Sequence, residues 1–297
     1  MALWSPMIKA TLPRKNRKSI FVVVIPRFED ISNSFYAGEV TKGANIAASR
    51  LDVDILIHLV ERRDHSHWID GLLDPNFIDG MLFADIDRDW DVVSSAIRKG
   101  MPSVVLNNPT TEPFNTLAID NRGAARKAVE FLVSYGHKRI ATITGDLDTQ
   151  AGQDRLEGYC DGLEIAGLHK EKRWIKKGDF LRTPARSAAL AFLRDVKESE
   201  RPTAIFAASD VMAFEVIDAA KSLGLKVPED LSVVGFDHNL QSGDNGMKLT
   251  TFEQPISNMS RQGIESLYKM SMGLAKLPVK MLLEAKFIKG HSTASVK

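Results

Sequence analysis

Cys160 is the only cysteine in 297 residues, so no disulfide can form within the chain and a reducing compartment fits best. It falls in a helical pattern, Leu156 to Leu163, where a buried and inert thiol is expected. Long apolar runs are missing as well, and none approaches the length that spans a bilayer. Pro6, Lys9 and Pro13 interrupt anything resembling a signal-peptide core. An excess of charge is also lacking, with 39 Lys and Arg against 38 Asp and Glu. A chain gripping phosphates over most of its surface would be clearly basic. The exception is local: Arg14, Lys15, Arg17 and Lys18 crowd together near the start. No P-loop, glycine-rich dinucleotide fingerprint or nucleophile–base pair occurs, so neither catalytic residues nor a cofactor is expected. Asp64-His65-Ser66-His67 brings two histidines together without completing a ligand set, and no metal is expected.

What is present is an alternation of β-branched runs with helical periods. The length favours two lobes, and the order of elements favours an α/β fold built from parallel βαβ units. Ser19–Ile25 is apolar enough to be a strand buried on both faces. A helix follows at 34–50, with Phe35, Val40, Ile46 and Ala47 at its spacing. Strands are expected at 54–59, 78–83 and 103–106, a short helix at 65–74 and a longer one at 88–99 stopped by Gly100. A second series has strands near 116–119, 139–143, 203–206 and 231–235. Its helices lie at 121–135, 153–166, 184–198 and 210–222, before a last helix at 257–273 and a strand near 281–288. Two such sheets in one chain leave a cleft, and open α/β sheets bind ligands beyond the carboxyl ends of their strands.

The loops at those ends carry recognisable combinations. Asp30-Ile31-Ser32-Asn33-Ser34-Phe35-Tyr36, Ile119-Asp120-Asn121-Arg122-Gly123-Ala124, Tyr135-Gly136-His137-Lys138-Arg139-Ile140-Ala141 and Arg155-Leu156-Glu157-Gly158-Tyr159 come in order. Ala204–Ala207, Ser209–Ala213, Val227–Asp237, Leu249–Pro255 and Lys289–Thr293 follow. The series resembles the LacI family of bacterial transcriptional regulators over residues 20–293.

That resemblance implies two interleaved doubly wound parallel-sheet lobes of the periplasmic-binding-protein-like type I. The N-lobe is expected at 20–119 plus 254–283 and the C-lobe at 120–253 plus 284–290. Residues 1–19 are expected to form a hinge remnant or basic linker. A small sugar or nucleoside is expected between the lobes, with homodimerisation and a cytoplasmic location. Operator DNA is expected as a partner only where a helix-turn-helix head lies upstream. The alternatives are a solute-binding protein of a transport system and a stand-alone cytoplasmic sugar sensor.

Asp237 ends a buried apolar strand, and the resemblance makes it an acceptor for ligand hydroxyls. Arg155, expected to open its helix, offers paired donors suited to hydroxyls or carboxylates. Phe35 and Tyr36 offer faces to a ring, one of the two being expected in the core. The resemblance adds Phe180 as an aromatic wall and Thr149, Ser209 and Gln254 as cleft residues. Asn107 stands where many family members have Asp, which replaces an acceptor-only group by a donor and acceptor. Asp210 is expected to cap a helix, and His137 to be structural. The cluster of Arg14, Lys15, Arg17 and Lys18 reads equally as a solubilising tail or as a hinge touching phosphates, with Leu12 as an apolar wedge.

Overall fold

A computed structural model describes residues 17–27, 34–61, 76–86, 90–239, 246–274 and 278–296. The expected short helix at 65–74, the 64–67 histidines, residues 30–33 and the basic positions before Arg17 lie outside them. The chain divides into two compact units. Unit 1 comprises Met1–Ala118 and Ile256–Leu282, and unit 2 comprises Ile119–Pro255 and Leu283–Lys297.

In unit 1 the strands are β1 (Ile20–Arg27), β2 (Asp54–Glu61), β3 (Gly80–Ala84), β4 (Ser103–Leu106), β5 (Thr116–Ile119) and β11 (Lys280–Leu283), and the sheet order is β11-β5-β4-β3-β1-β2. The pairs β1–β2, β1–β3, β3–β4 and β4–β5 are parallel. Phe21 to Ile25 are all buried, as an apolar strand covered on both faces should be. Val22, Val24, Met81, Phe83 and Val105 pack against Val93 and Ala96 of α2 (Trp90–Arg98). On α1 (Phe35–Leu51) the buried face is Ala37, Val40, Gly43, Ala44, Ala47 and Ala48. This stripe of small residues admits α7 (Ile256–Ser271) so closely that a Cβ on Gly43 would lie 2.0 Å from the Ser257 carbonyl oxygen. Ile46, expected on this inner face, is exposed.

In unit 2 the strands β6 (Ile140–Thr144), β7 (Ile175–Lys177), β8 (Ala204–Ala207) and β9 (Ser232–Val234) form a wholly parallel sheet in the order β7-β6-β8-β9. Ile143, Ile205, Ala207 and Val233 bury one face under α5 (Arg182–Leu193) and α6 (Asp210–Ser222). Helices α3 (Asn121–Ser134) and α4 (Gln150–Ile165) pack together where Gly158 and Gly162 of α4 meet Arg122, Ala125 and Val129. An antiparallel pair, β10 (Thr251–Glu253) and β12 (Lys286–Ile288), adjoins β9 through bridges at Val234–Thr250 and Asp237–Glu253. His137 is structural, as expected: Nδ1 meets Thr203 Oγ1 at 2.9 Å, and Nε2 meets Ser232 Oγ at 3.0 Å and the Ala294 carbonyl at 3.1 Å. Burial lowers its pKa, which keeps the ring neutral.

Several boundaries differ from the pattern reading, each for a local reason. Helix α4 starts at Gln150 rather than 153, because Thr149 caps it. Helix α5 ends at Leu193 rather than 198, where the buried apolar face stops after Phe192 and Leu193. The strand expected at 281–288 is two strands in different sheets, β11 and β12, separated at Glu284 and Ala285. The three-residue strands β7 and β10 are too short for any periodicity to announce. Cys160 is half-buried rather than buried, because the inward residues of α4 are Arg155, Gly158, Tyr159, Gly162 and Leu163.

A Cβ on Gly158 would lie 2.1 Å from the Arg122 carbonyl oxygen, whereas one on Gly38 of α1 meets nothing within 4 Å. Gly158→Ala is therefore expected to destabilise unit 2 by about 1–3 kcal/mol through overpacking. Gly38→Ala should be neutral or stabilising by up to about 1 kcal/mol. Denaturant unfolding of both variants checks the pair, and equal effects would contradict the close helix contact.

Candidate functional site

Backbone strain marks where each unit does something other than fold. Asp52 is the left-handed cap of α1. The other described non-glycine residues with positive φ all follow strands: Asp85 after β3, Asn107 after β4, Asp179 and Phe180 after β7, Asp237 and His238 after β9. Such positions cost of order 1–3 kcal/mol each and persist only where surroundings impose them.

In unit 2 the strained turns surround a buried cation. Arg155 lies in the second turn of α4, not at its start, and is 4% exposed. Its Nε–H donates to Asn121 Oδ1 at 2.9 Å and an Nη1–H to the Ala208 carbonyl at 2.6 Å. The guanidinium carbon sits 3.8 Å from the ring centroid of Phe236 and 5.5 Å from that of Phe180. Phe180 reaches this place because Gly145 is bare: a Cβ there would lie 2.0 Å from the ring. The turn before Phe180 is pinned by the Gly178 and Asp179 amides, which both donate to the Thr144 carbonyl.

Asp237 faces the same cation, with Oδ1 3.6 Å from Arg155 Nη1, and accepts from the Gln254 side-chain amide. Burial raises its pKa to about 6, against the opposing pull of Arg155 and Gln254. The folded protein thus holds a proton that the unfolded chain releases. As pH rises from about 4 to about 6 this group makes the fold less stable, the reverse of an aspartate kept for stability.

Thr149 and Ser209, expected as cleft residues, are buried N-caps. The Thr149 hydroxyl accepts from the Gly152 amide and donates to the Asp146 carbonyl, and the Ser209 hydroxyl accepts from the Met212 amide. Asp210 is not the cap of α6, since Ser209 holds that role and Asp210 is its fully buried first residue.

In unit 1, Asn107 is 5% exposed. Its Nδ2 donates to the Tyr36 hydroxyl at 3.0 Å, and its Oδ1 is one of the buried side-chain atoms with no hydrogen-bond partner among the described residues. Such an orphan costs about 1–3 kcal/mol, and an arriving donor would relieve it. Phe35 and Tyr36 are both half-buried, so neither is core: the inward face of α1 begins at Ala37. Arg17 and Lys18 pair with Asp79 and Asp52, while Leu12, Arg14 and Lys15 lie outside the described residues. A depression of about 630 Å³ in unit 1 follows α1 and the edge strand β2, away from the carboxyl ends.

Sequence reasoning thus reached Arg155, Phe180, Asp237 and Gln254, which the fold brings together. It missed Phe236, Asn121, Asp210 and Thr251. Phe236 and Asn121 lie two residues beyond the ends of β9 and β5, which was the signal available for them.

A family model for a periplasmic binding protein-like domain matches residues 129–293. The HTH-type transcriptional repressor CytR of Escherichia coli (strain K12) is 33% identical over 263 residues, which cover 88% of this chain and 75% of that protein. A solved complex of the transcriptional regulator CelR with cellobiose superposes with a TM-score of 0.83 at 27% identity, covering 93% of this chain and 85% of that one. A lac repressor dimer bound to operator and the anti-inducer ONPF shares the fold, with a TM-score of 0.81 at 22% identity over 94% and 96% of the two chains. No described helix is long and apolar enough to cross a membrane.

Replacing Arg155 by Met keeps much of its bulk between the rings and removes the cation. The Asp237 titration midpoint, followed by carboxyl-carbon NMR, is then expected to rise by a unit or more above about 6. A midpoint that stays put would show that the cation does not act on this carboxyl.

Proposed function

The chain belongs to the LacI family of transcriptional regulators, which are not enzymes, and from that premise we propose an uncharged polyhydroxyl effector, a small sugar or nucleoside, as its ligand. The residues described form the effector-binding region of such a regulator. The observation that carries the ligand class is the Arg155–Asp237 pair, with the Arg155 guanidinium lying over the Phe236 and Phe180 rings. Asp237 accepts hydroxyl hydrogens, a ring face suits the apolar side of a sugar or base, and Gln254 adds a polar contact.

In unit 1 taken by itself, Asn107 offers an acceptor, because its Oδ1 has no hydrogen-bond partner among the described residues while its amide donates to the Tyr36 hydroxyl. The reading extends to a cytoplasmic homodimer whose operator affinity changes with effector when a helix-turn-helix head is attached. Arg17 and Lys18, with Leu12, Arg14 and Lys15, lie in the segment that would lead to such a head. Coupling of that kind is reciprocal, so an effector that weakens operator binding is itself bound more weakly on DNA.

A thermal-shift screen of pentoses, hexoses, disaccharides and nucleosides tests the ligand class, because a bound ligand raises apparent stability by mass action. Cellobiose, seen with CelR, belongs in the panel. Asp237→Ala is expected to abolish the shift while leaving the fold intact. Binding that needs the carboxylate should weaken by up to about tenfold per pH unit below the Asp237 midpoint. Calorimetry showing an Asp237→Ala affinity equal to wild type would sink the assignment.

A further inference from the structure

Asp210 is 1% exposed, ionisable, and used by neither the helix cap nor the Arg155 cluster. Its contacts explain its place. The Asp210 amide donates to the Phe236 carbonyl at 2.7 Å, and its Oδ2 accepts from the Asn239 amide at 2.7 Å. One residue therefore grips both ends of the turn whose middle, Asp237 and His238, has φ of 119° and 60°. The other carboxyl oxygen, Oδ1, accepts from the Thr251 hydroxyl at 2.6 Å. Thr251 opens β10, the strand that runs directly into Gln254, the partner of Asp237. Space for this arrangement exists only because Gly235 lacks a side chain: a Cβ there would lie 2.3 Å from Asp210 Oδ1.

We infer that Asp210 is a positioning residue of the effector site, a clamp that holds the strained Gly235–Asn239 turn so that Asp237 points at Arg155, with Thr251 tying that clamp to the strand bearing Gln254. The inference rests on the effector reading for its purpose, but the clamp itself is a property of the ligand-free protein. A carboxyl group serves here because its two oxygens are placed to accept from two separate donors, one on each side of the clamp. The groups facing Asp237 come from separate elements: Arg155 from α4, Asp210 from α6 and Gln254 from beyond β10, while His238 lies 3.9 Å from Glu253. Backbone bonds from the Gly235 and Asp237 amides to the Thr250 and Phe252 carbonyls, 2.9 Å each, fix the near side of the turn. The clamp adds the hold on Asn239, without which the carboxylate would swing away from Arg155 toward water.

NMR on the full chain tests this without any ligand, by following the Asp237 carboxyl carbon with pH and the exchange of the Asn239 amide. Wild type should titrate near 6. In Asp210→Ala the midpoint should fall toward the ordinary aspartate value of about 4, and Asn239 exchange should speed up about tenfold or more. Asp210→Asn keeps both links, its oxygen accepting from Asn239 and its amide donating to the Thr251 oxygen. It should therefore stay nearer to wild type than to Asp210→Ala. An unchanged midpoint and exchange rate in Asp210→Ala, or an Asp210→Asn protein identical to Asp210→Ala, would overturn the clamp. Should Asp210→Ala fail to fold, Thr251→Val carries the test by removing one hydroxyl at constant volume: a lowered midpoint supports the clamp and an unchanged one overturns it. If the ligand screen finds nothing for wild type, the effector reading fails while these readouts still decide the clamp.

Discussion

Burying a guanidinium is expensive unless its hydrogen bonds are made and a counter-charge is near, and much of unit 2 is arranged around meeting that demand for Arg155. Asn121 takes its Nε–H, the carbonyl of Ala208 takes an Nη1–H, Phe236 and Phe180 lie against its plane, and Asp237 stands 3.6 Å off. The five partners come from beyond the carboxyl ends of four strands: Asn121 after β5, Ala208 after β8, Phe236 and Asp237 after β9, and Phe180 after β7. A fold that needed only stability would do better with apolar residues of the same volume. Retaining the cation, an aspartate that loosens the fold near neutral pH, and a set of left-handed turns points to a site kept for what it binds.

Asn107 in unit 1 has an amide oxygen with no hydrogen-bond partner among the described residues. At Asn107 one side-chain N–H is given to the Tyr36 hydroxyl and the oxygen remains an available acceptor.

Most of the parallel framework was legible in the pattern of β-branched runs, because strands such as β1 and β8 are buried on both faces and read as continuous apolar segments. Arg155, Phe180, Asp237 and Gln254 were legible through motif position. What stayed hidden has physical reasons. Strands of three residues, β7 and β10, carry no period, and β11 and β12 are joined by two residues that break no apolar pattern. The roles of Thr149, Ser209 and Asp210 depend on where their hydroxyl and carboxyl oxygens find amides, which sequence spacing alone does not settle. Phe35 and Tyr36 could not be placed from their own character, since the inward stripe of α1 is set by the alanines that follow.

The central claim is that Asp237 and Arg155 together receive a polyhydroxyl effector. A crystal structure of the chain with the tightest binder from the sugar and nucleoside panel tests it most directly. The account predicts a ligand hydroxyl within about 3 Å of Asp237 and the ring of the ligand against Phe180. A ligand seated elsewhere, with Asp237 still bonded only to Gln254 and facing Arg155, would contradict it.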